Sequence, residues 1–146
     1  MTIEELEMLM GSNGKAILEM LRGIANSNPR LIKLKDMPMG LQVWVIAQDS
    51  EIMIVQIWGA SGNESANSLE TRMQWITGRV FLNNTERLKV TSLFQRAQFK
   101  PIEGSYGNFR LEFDEARTKI SFDAVEMAKL KGAIIDTAKL VVSLKK

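Results

Sequence analysis

Cations and aromatic rings are interleaved along the middle of the chain, and this is the pattern there that most clearly suggests a chemistry. Between residues 72 and 100, six arginines and lysines stand against a single acid, Glu86, although the formal net charge of the chain is only +2. Rings that stack on bases, beside cations that contact phosphates, are the usual means of holding single-stranded nucleic acid. The residues predicted to bind it are Arg72, Trp75, Arg79, Phe81, Arg87, Lys89, Arg96, Phe99, Lys100, Tyr106 and Arg110.

Other interpretations of these residues stay open. A basic stretch is often a solvated surface that acids elsewhere in the fold compensate, and rings such as Phe81 and Phe99 are often simply core. An exposed sheet that is apolar instead would bind protein. The alternative function is therefore a homo-oligomeric scaffold or protein-interaction module, such as a phage or bacterial assembly component.

Two missing residue types restrict the possible chemistry. The chain has no cysteine, which excludes thiolate nucleophiles and disulfides, and no histidine, which removes the commonest general base. The acid pairs Glu4-Glu5 and Asp114-Glu115 stand at a predicted helix start and in a predicted turn, and residues 59–64 lack the lysine of a phosphate-binding loop. We therefore expect a protein that is not an enzyme and that uses neither a cofactor nor a metal.

Length and composition are those of one folded domain. The chain has 146 residues, of which 45% are hydrophobic, enough for a substantial core. No apolar run reaches the roughly 18 residues of a membrane span. The first seven residues are acidic and amphipathic, unlike a signal peptide. The expected location is the cytoplasm, with no membrane partner.

Hydrophobic periodicity predicts an α+β fold in three parts. A helical hairpin is expected over residues 1–28, interrupted at Gly11, because apolar residues recur there with helical spacing. An antiparallel, curved sheet is expected over residues 31–122, because several segments are β-branched or alternate between polar and apolar residues. The predicted strands are 31–34, 41–47, 51–58, 71–82, 87–92, 109–113 and 119–122, with residues 93–99 open between strand and helix.

A long helix over residues 123–146 is predicted to close the chain. Asp123 and, three residues later, Glu126 resemble a capping box. The helix has a heptad stripe and a second apolar side, which suggests two contacts, one with its own sheet and one with a second copy. We expect a homodimer formed through Met127, Leu130, Ile134, Val141 and Leu144.

The stretch from Phe109 to Val142 resembles the closing hairpin and helix of the Whirly and positive-cofactor-four-like single-stranded DNA-binding domains. The resemblance implies a curved antiparallel sheet, a dimer formed through the helix, and single-stranded DNA held on the sheet by aromatic and basic residues. The expected function is sequence-tolerant binding of single-stranded DNA or RNA, without enzymatic activity.

Overall fold

A computed structural model describes residues 11–38, 40–59, 67–105, 107–113 and 122–144. These residues form an α+β domain built on one antiparallel sheet of six strands, in the order β1-β2-β3-β4-β6-β5. The strands are β1 (Ile32–Met37), β2 (Gly40–Ala47), β3 (Ser50–Trp58), β4 (Ser68–Arg72), β5 (Lys100–Pro101) and β6 (Asn108–Glu112). The α+β class and the antiparallel sheet predicted from the sequence are thereby confirmed.

The described residues also form four helices, which we number α1 (Gly11–Ser27), α2 (Met73–Thr77), α3 (Asn84–Arg96) and α4 (Ala124–Leu144). Helix α4 packs on β2 and β3, and it also contacts α1 on one side and α3 on the other. Helix α1 contacts β1, whereas the short α2 lies beyond the end of β4 and contacts β3. Three helices therefore form one layer, and the sheet forms the other.

Alternation along the strands separates the two faces of this sheet. On β2, Leu41, Val43, Val45 and Ala47 are completely buried, whereas the residues between them are half-buried. Successive side chains of a strand point to opposite faces, so the first set faces the helical layer. We call this side the core face. The opposite side is the outer face.

Strand β6 and helix α4 agree closely with the prediction from the sequence. Phe109, Leu111 and Phe113 are buried, and Arg110 and Glu112 between them are half-buried on the other face. The Asp123 carboxylate accepts a 2.9 Å hydrogen bond from the Glu126 amide, which confirms the predicted helix cap. Of the predicted helical hairpin over 1–28, residues 1–10 lie outside the described residues, and the second predicted helix is observed as α1. Of the predicted strand 119–122, only Phe122 is described, and it is not in a strand.

Two predicted strands are wrong. Within residues 71–82, β4 ends at Arg72, and Met73–Thr77 is helical. Residues 87–92 lie inside helix α3. The predicted sheet over residues 31–122 is therefore interrupted by two helices between β4 and β5.

A capping box explains why residues 84–96 form a helix. The Asn83 side chain accepts a 2.8 Å bond from the Glu86 amide, and the Glu86 carboxylate accepts a 2.9 Å bond from the Asn83 amide. Val90 and Phe94 are four positions apart, and both are buried on one side of this helix. Over only four residues, the pattern from Arg87 to Val90 fits both the period of a strand and that of a helix. The capping box favours the helix.

Candidate nucleic-acid interface

A polar row crosses the outer face from one edge of the sheet to the other. The strand registers pair Lys35 with Gln42, Gln42 with Gln56, Gln56 with Glu70, Glu70 with Arg110, and Arg110 with Lys100. With about 4.8 Å between neighbouring strands, this row is roughly 24 Å wide. It has cations at both ends, Lys35 on β1 and Lys100 on β5. The amides of Gln42 and Gln56 lie on β2 and β3.

Two tryptophans lie on either side of this row. Trp44 on β2 is paired with Met53, and Trp58 on β3 is paired with Gly40. Since Gly40 is four residues from Trp44, the two rings are separated by roughly 13 Å along the strands. Both are half-buried. The two rings thus lie on opposite sides of the polar row, whose middle is buried, since Gln56 is 6% and Glu70 2% exposed.

Two lysines of β1 lie beside Trp44, the first of these rings. The Lys35 ammonium lies 3.9 Å from the centroid of the Trp44 ring, within the range of a cation–π interaction. The Glu51 carboxylate holds Lys35 at 2.8 Å and Lys33 at 3.2 Å. Hydrogen bonds from Lys35 and then Lys33 lower the pKa of Glu51 below its usual range. Because one acid neutralises only one of two lysines, this corner of the face retains a positive charge.

A buried acid anchors the second ring. Trp58 Nε1 donates a 3.3 Å hydrogen bond to Glu70, and the Glu70 carboxylate also binds the Arg72 guanidinium at 3.1 Å. The Glu70 side chain is only 2% exposed, whereas that of Arg72 is 38% exposed. Glu70 therefore fixes the orientation of the Trp58 indole and the Arg72 guanidinium. Because the carboxylate itself is buried, these two side chains account for most of the exposed surface here.

The structure brings together four of the residues predicted from the sequence to bind nucleic acid. Arg72, Lys100 and Arg110 lie on the outer face by strand register. Trp75 follows on α2, and its ring lies 5.5 Å from the Arg72 guanidinium. These four residues occupy the half of the face formed by β4, β5 and β6.

Most of the other predicted binding residues lie elsewhere. Arg87, Lys89 and Arg96 are exposed along α3, in the helical layer, because their segment is a helix and not a strand. Arg79 and Phe81 lie on the connection between α2 and α3, where Phe81 is 81% exposed. Phe99 is a core residue, packed edge to face on Phe94 with ring centroids 5.0 Å apart. Tyr106 lies outside the described residues.

The sequence-based prediction missed the half of the outer face that holds both sheet tryptophans. Lys33, Lys35, Trp44 and Trp58 precede the basic stretch in sequence, and strand pairing brings them beside it. Strand alternation was the signal that could have found Trp44. Val43 and Val45 flank it and face the core, so Trp44 must point the opposite way.

The residues predicted to form a dimer contact belong to the core of a single chain. Leu130, Ile134 and Val141 are completely buried, and Met127 and Leu144 are half-buried against the same core. The heptad stripe of α4 therefore faces its own sheet and the neighbouring helices. Thr137, within the stripe, is buried as well, and its hydroxyl has no hydrogen-bond partner among the described residues.

In the part of the chain that the structure describes, no three acidic side chains come close enough together to hold a metal ion. None of the helices described there has the length and apolar composition needed to cross a bilayer. A comparison with protein-family models, curated proteins and solved structures found no match to this chain.

Proposed function

We propose that the chain binds single-stranded nucleic acid on the outer face of its sheet, without sequence preference and without enzymatic activity. The observation that carries the proposal is the placement of Trp44 and Trp58 on the same face as Lys33, Lys35, Arg72, Lys100 and Arg110. Rings and cations on one side of a sheet are what stacking on bases and neutralising phosphates require.

In this proposal the helical layer supports the sheet, and the outer face of the sheet binds the nucleic acid. Helices pack on the core face, so the proposal places the ligand on the outer face. Strand pairing fixes the backbone beneath each ring and each cation, which limits the entropy lost on binding. On binding, a base would take the place of the Lys35 ammonium over the Trp44 ring, and the ammonium would move to a phosphate.

The polar row suits a sequence-tolerant site. Gln42, which is half-buried on β2, carries an amide that both donates and accepts hydrogen bonds, so it can contact bases of any type, whereas Gln56 beside it is only 6% exposed. The Gln42 side chain already accepts a 3.0 Å bond from Trp44 Nε1, which orients the indole. The resemblance of residues 109–142 to the Whirly and positive-cofactor-four-like domains likewise implies nucleic acid on a sheet of aromatic and basic residues.

The test is a binding titration with fluorescently labelled oligo-dT, the same sequence in duplex form, and oligo-U, repeated over a range of salt concentrations. Phosphate contacts release counterions, so affinity for the single strands should fall linearly on a double-logarithmic plot against salt. Tighter binding of duplex than of single strands, or an affinity that does not depend on salt, would contradict the proposal.

A second copy of the chain is the other proposed partner. Since the heptad stripe is buried, a dimer would have to use surface that α4 leaves exposed, where Val125 is 62% exposed. Light scattering tests this, because one chain has a mass of 16.5 kDa. A mass of twice that value supports pairing, and a single-chain mass at all concentrations contradicts it.

A protein-interaction module remains the second candidate function, and two exposed apolar side chains favour it. Phe81, on the connection between α2 and α3, is 81% exposed, and Leu88 on α3 is 67% exposed. A stable protein complex that co-purifies with no absorbance from nucleic acid would support this alternative, provided that Phe81→Ser abolishes it.

A further inference from the structure

A cleft beside helix α3 forms a second candidate site, and the described residues of its lining include none of the polar row. It lies between α2, α3 and the start of β6, and its volume is about 700 Å³. This is within the usual range of about 300–1,000 Å³ for sites that bind small molecules. The described residues that line it are Met73, Gln74, Thr77, Asn84, Arg87, Leu88, Thr91, Gly107 and Phe109.

The lining combines apolar walls with one charge. Met73 and Phe109 are apolar, and Leu88 adds an apolar side chain that is largely exposed. Arg87 is the single charged residue of the described lining, which contains no carboxylate. Amides and hydroxyls from both helices supply further hydrogen-bonding groups. The cleft is therefore suited to a molecule that has an apolar body and one anionic group.

Local contacts hold the walls of the cleft in place. The Met73 amide donates a 2.9 Å bond to the Gly107 carbonyl, which joins the start of α2 to the segment before β6. Gly107 has a φ of +75°, and a Cβ there would lie 3.2 Å from Met73 Cβ, so a side chain at this position would strain the wall. Arg87 Nε donates a 3.2 Å bond to the Leu82 carbonyl, which fixes the base of the guanidinium.

We propose that this cleft binds a small organic anion, with its apolar body against Met73, Leu88 and Phe109 and its anionic group at Arg87. The other cations of α3 that were predicted to bind nucleic acid, Lys89 and Arg96, line a different and smaller depression. They are therefore matched controls on the same helix, at positions outside the cleft.

The test uses octanoate, octan-1-ol and octyl phosphate as probes, with calorimetry for affinity and amide chemical shifts for location. Octanoate and octyl phosphate are expected to bind at one site, with shifts at Thr77, Thr91 and Gly107. Octan-1-ol, which has no charge, is expected to bind more weakly by at least roughly tenfold, because it cannot form the charge-assisted hydrogen bond to Arg87. Preference for octyl phosphate over octanoate would identify the anionic group as a phosphate.

Variants of the arginine decide whether the site is the cleft. Arg87→Gln should weaken octanoate binding by roughly tenfold or more and leave octan-1-ol unaffected, whereas Arg87→Lys should restore part of the loss. Arg96→Gln should change neither. The proposal is overturned if none of the anions binds at low-millimolar concentration, if Arg87→Gln and Arg96→Gln weaken binding equally, or if the shifts map to another surface. The affinity of Arg87→Gln for oligo-dT is measured in parallel. It should equal that of the native protein, because Arg87 lies outside the proposed nucleic-acid interface.

Discussion

Lys35 and Trp44 lie on neighbouring strands of the outer face, with the Lys35 ammonium 3.9 Å from the centroid of the indole ring. The strands place them diagonally, since Lys35 is paired with Gln42 and Lys33 is the residue directly opposite Trp44. One half-buried ring is thus in reach of two lysines. Such a unit can contact a base and a phosphate of the same nucleic-acid strand.

Removal of this ring should weaken binding more than it changes the fold. Stacking of a base on an aromatic ring contributes about 1–3 kcal/mol, so Trp44→Ala should weaken oligo-dT binding roughly 5- to 150-fold. Trp44→Phe keeps a ring and should lose much less. Anisotropy titrations measure both, with urea unfolding as the control for stability. Equal affinities of the two variants and the native protein would show that Trp44 does not contact the ligand.

The lysines next to the ring should account for part of the salt dependence. If four cations contact phosphates, the slope of log K against log salt is about −3, and loss of two of them makes it shallower by about 1.4. We predict this change for Lys33→Gln/Lys35→Gln. The control, Lys131→Gln/Lys139→Gln, removes two exposed lysines of α4 and should leave the slope unchanged. The same slope for the outer-face variant and the native protein would contradict the assignment.

Glu51 should stabilise the fold only while it is ionised. The lysine hydrogen bonds lower its pKa in the folded state, so its contribution is present above the pKa of the unfolded chain and is lost as the pH falls through the folded value. The free energies of unfolding of native protein and Glu51→Gln should therefore differ most near neutral pH and converge below about pH 4. Urea unfolding at several pH values measures the difference. A gap that persists unchanged in acid would show that the carboxylate charge is not its cause.

Phe99 should be important for stability and not for binding. It is buried against Phe94, so Phe99→Ala should lower the free energy of unfolding by about 3–5 kcal/mol. Phe81, which is mostly exposed, is the matched control, and Phe81→Ala should change stability by less than about 0.5 kcal/mol. The milder Phe99→Leu should remain folded and bind oligo-dT normally. A specific loss of binding in that variant would return Phe99 to the interface.

The capping box should have a measurable effect on α3. Asn83→Ala removes the acceptor of the Glu86 amide and should cost about 1 kcal/mol of stability, whereas Thr85→Ala, exposed in the same turn, should cost much less. Thermal and urea unfolding give the comparison. Equal effects of the two substitutions would mean that the cap is not what fixes the start of the helix.

The sequence predicts the first half of the sheet well, because β2 and β3 are long, rich in β-branched residues and bounded by turns. It mispredicts α3, because Arg87 to Val90 alternate by chance over four residues. The deciding signal, Asn83 followed by Glu86, lies before the segment. Local patterns of four residues distinguish poorly between the two periods unless a cap is included.

The candidate interface shows a different limit of sequence-based prediction. The pattern predicts that rings and cations share a sheet face, but it selects them by proximity in sequence between residues 72 and 110. In the fold, Lys35 and Lys100 stand at opposite ends of one row, although 65 positions separate them in the chain. Strand order determines that row, and no local pattern contains the strand order.

The most direct test is the fluorescence of Trp44 during binding. Trp58→Phe/Trp75→Phe leaves Trp44 as the single tryptophan, because the chain has three. The account predicts that oligo-dT quenches this residue along the same curve that anisotropy of the labelled oligonucleotide follows, and that added salt reverses both. Binding seen by anisotropy with unchanged Trp44 fluorescence would place the nucleic acid elsewhere and contradict the account, as would no binding at low salt.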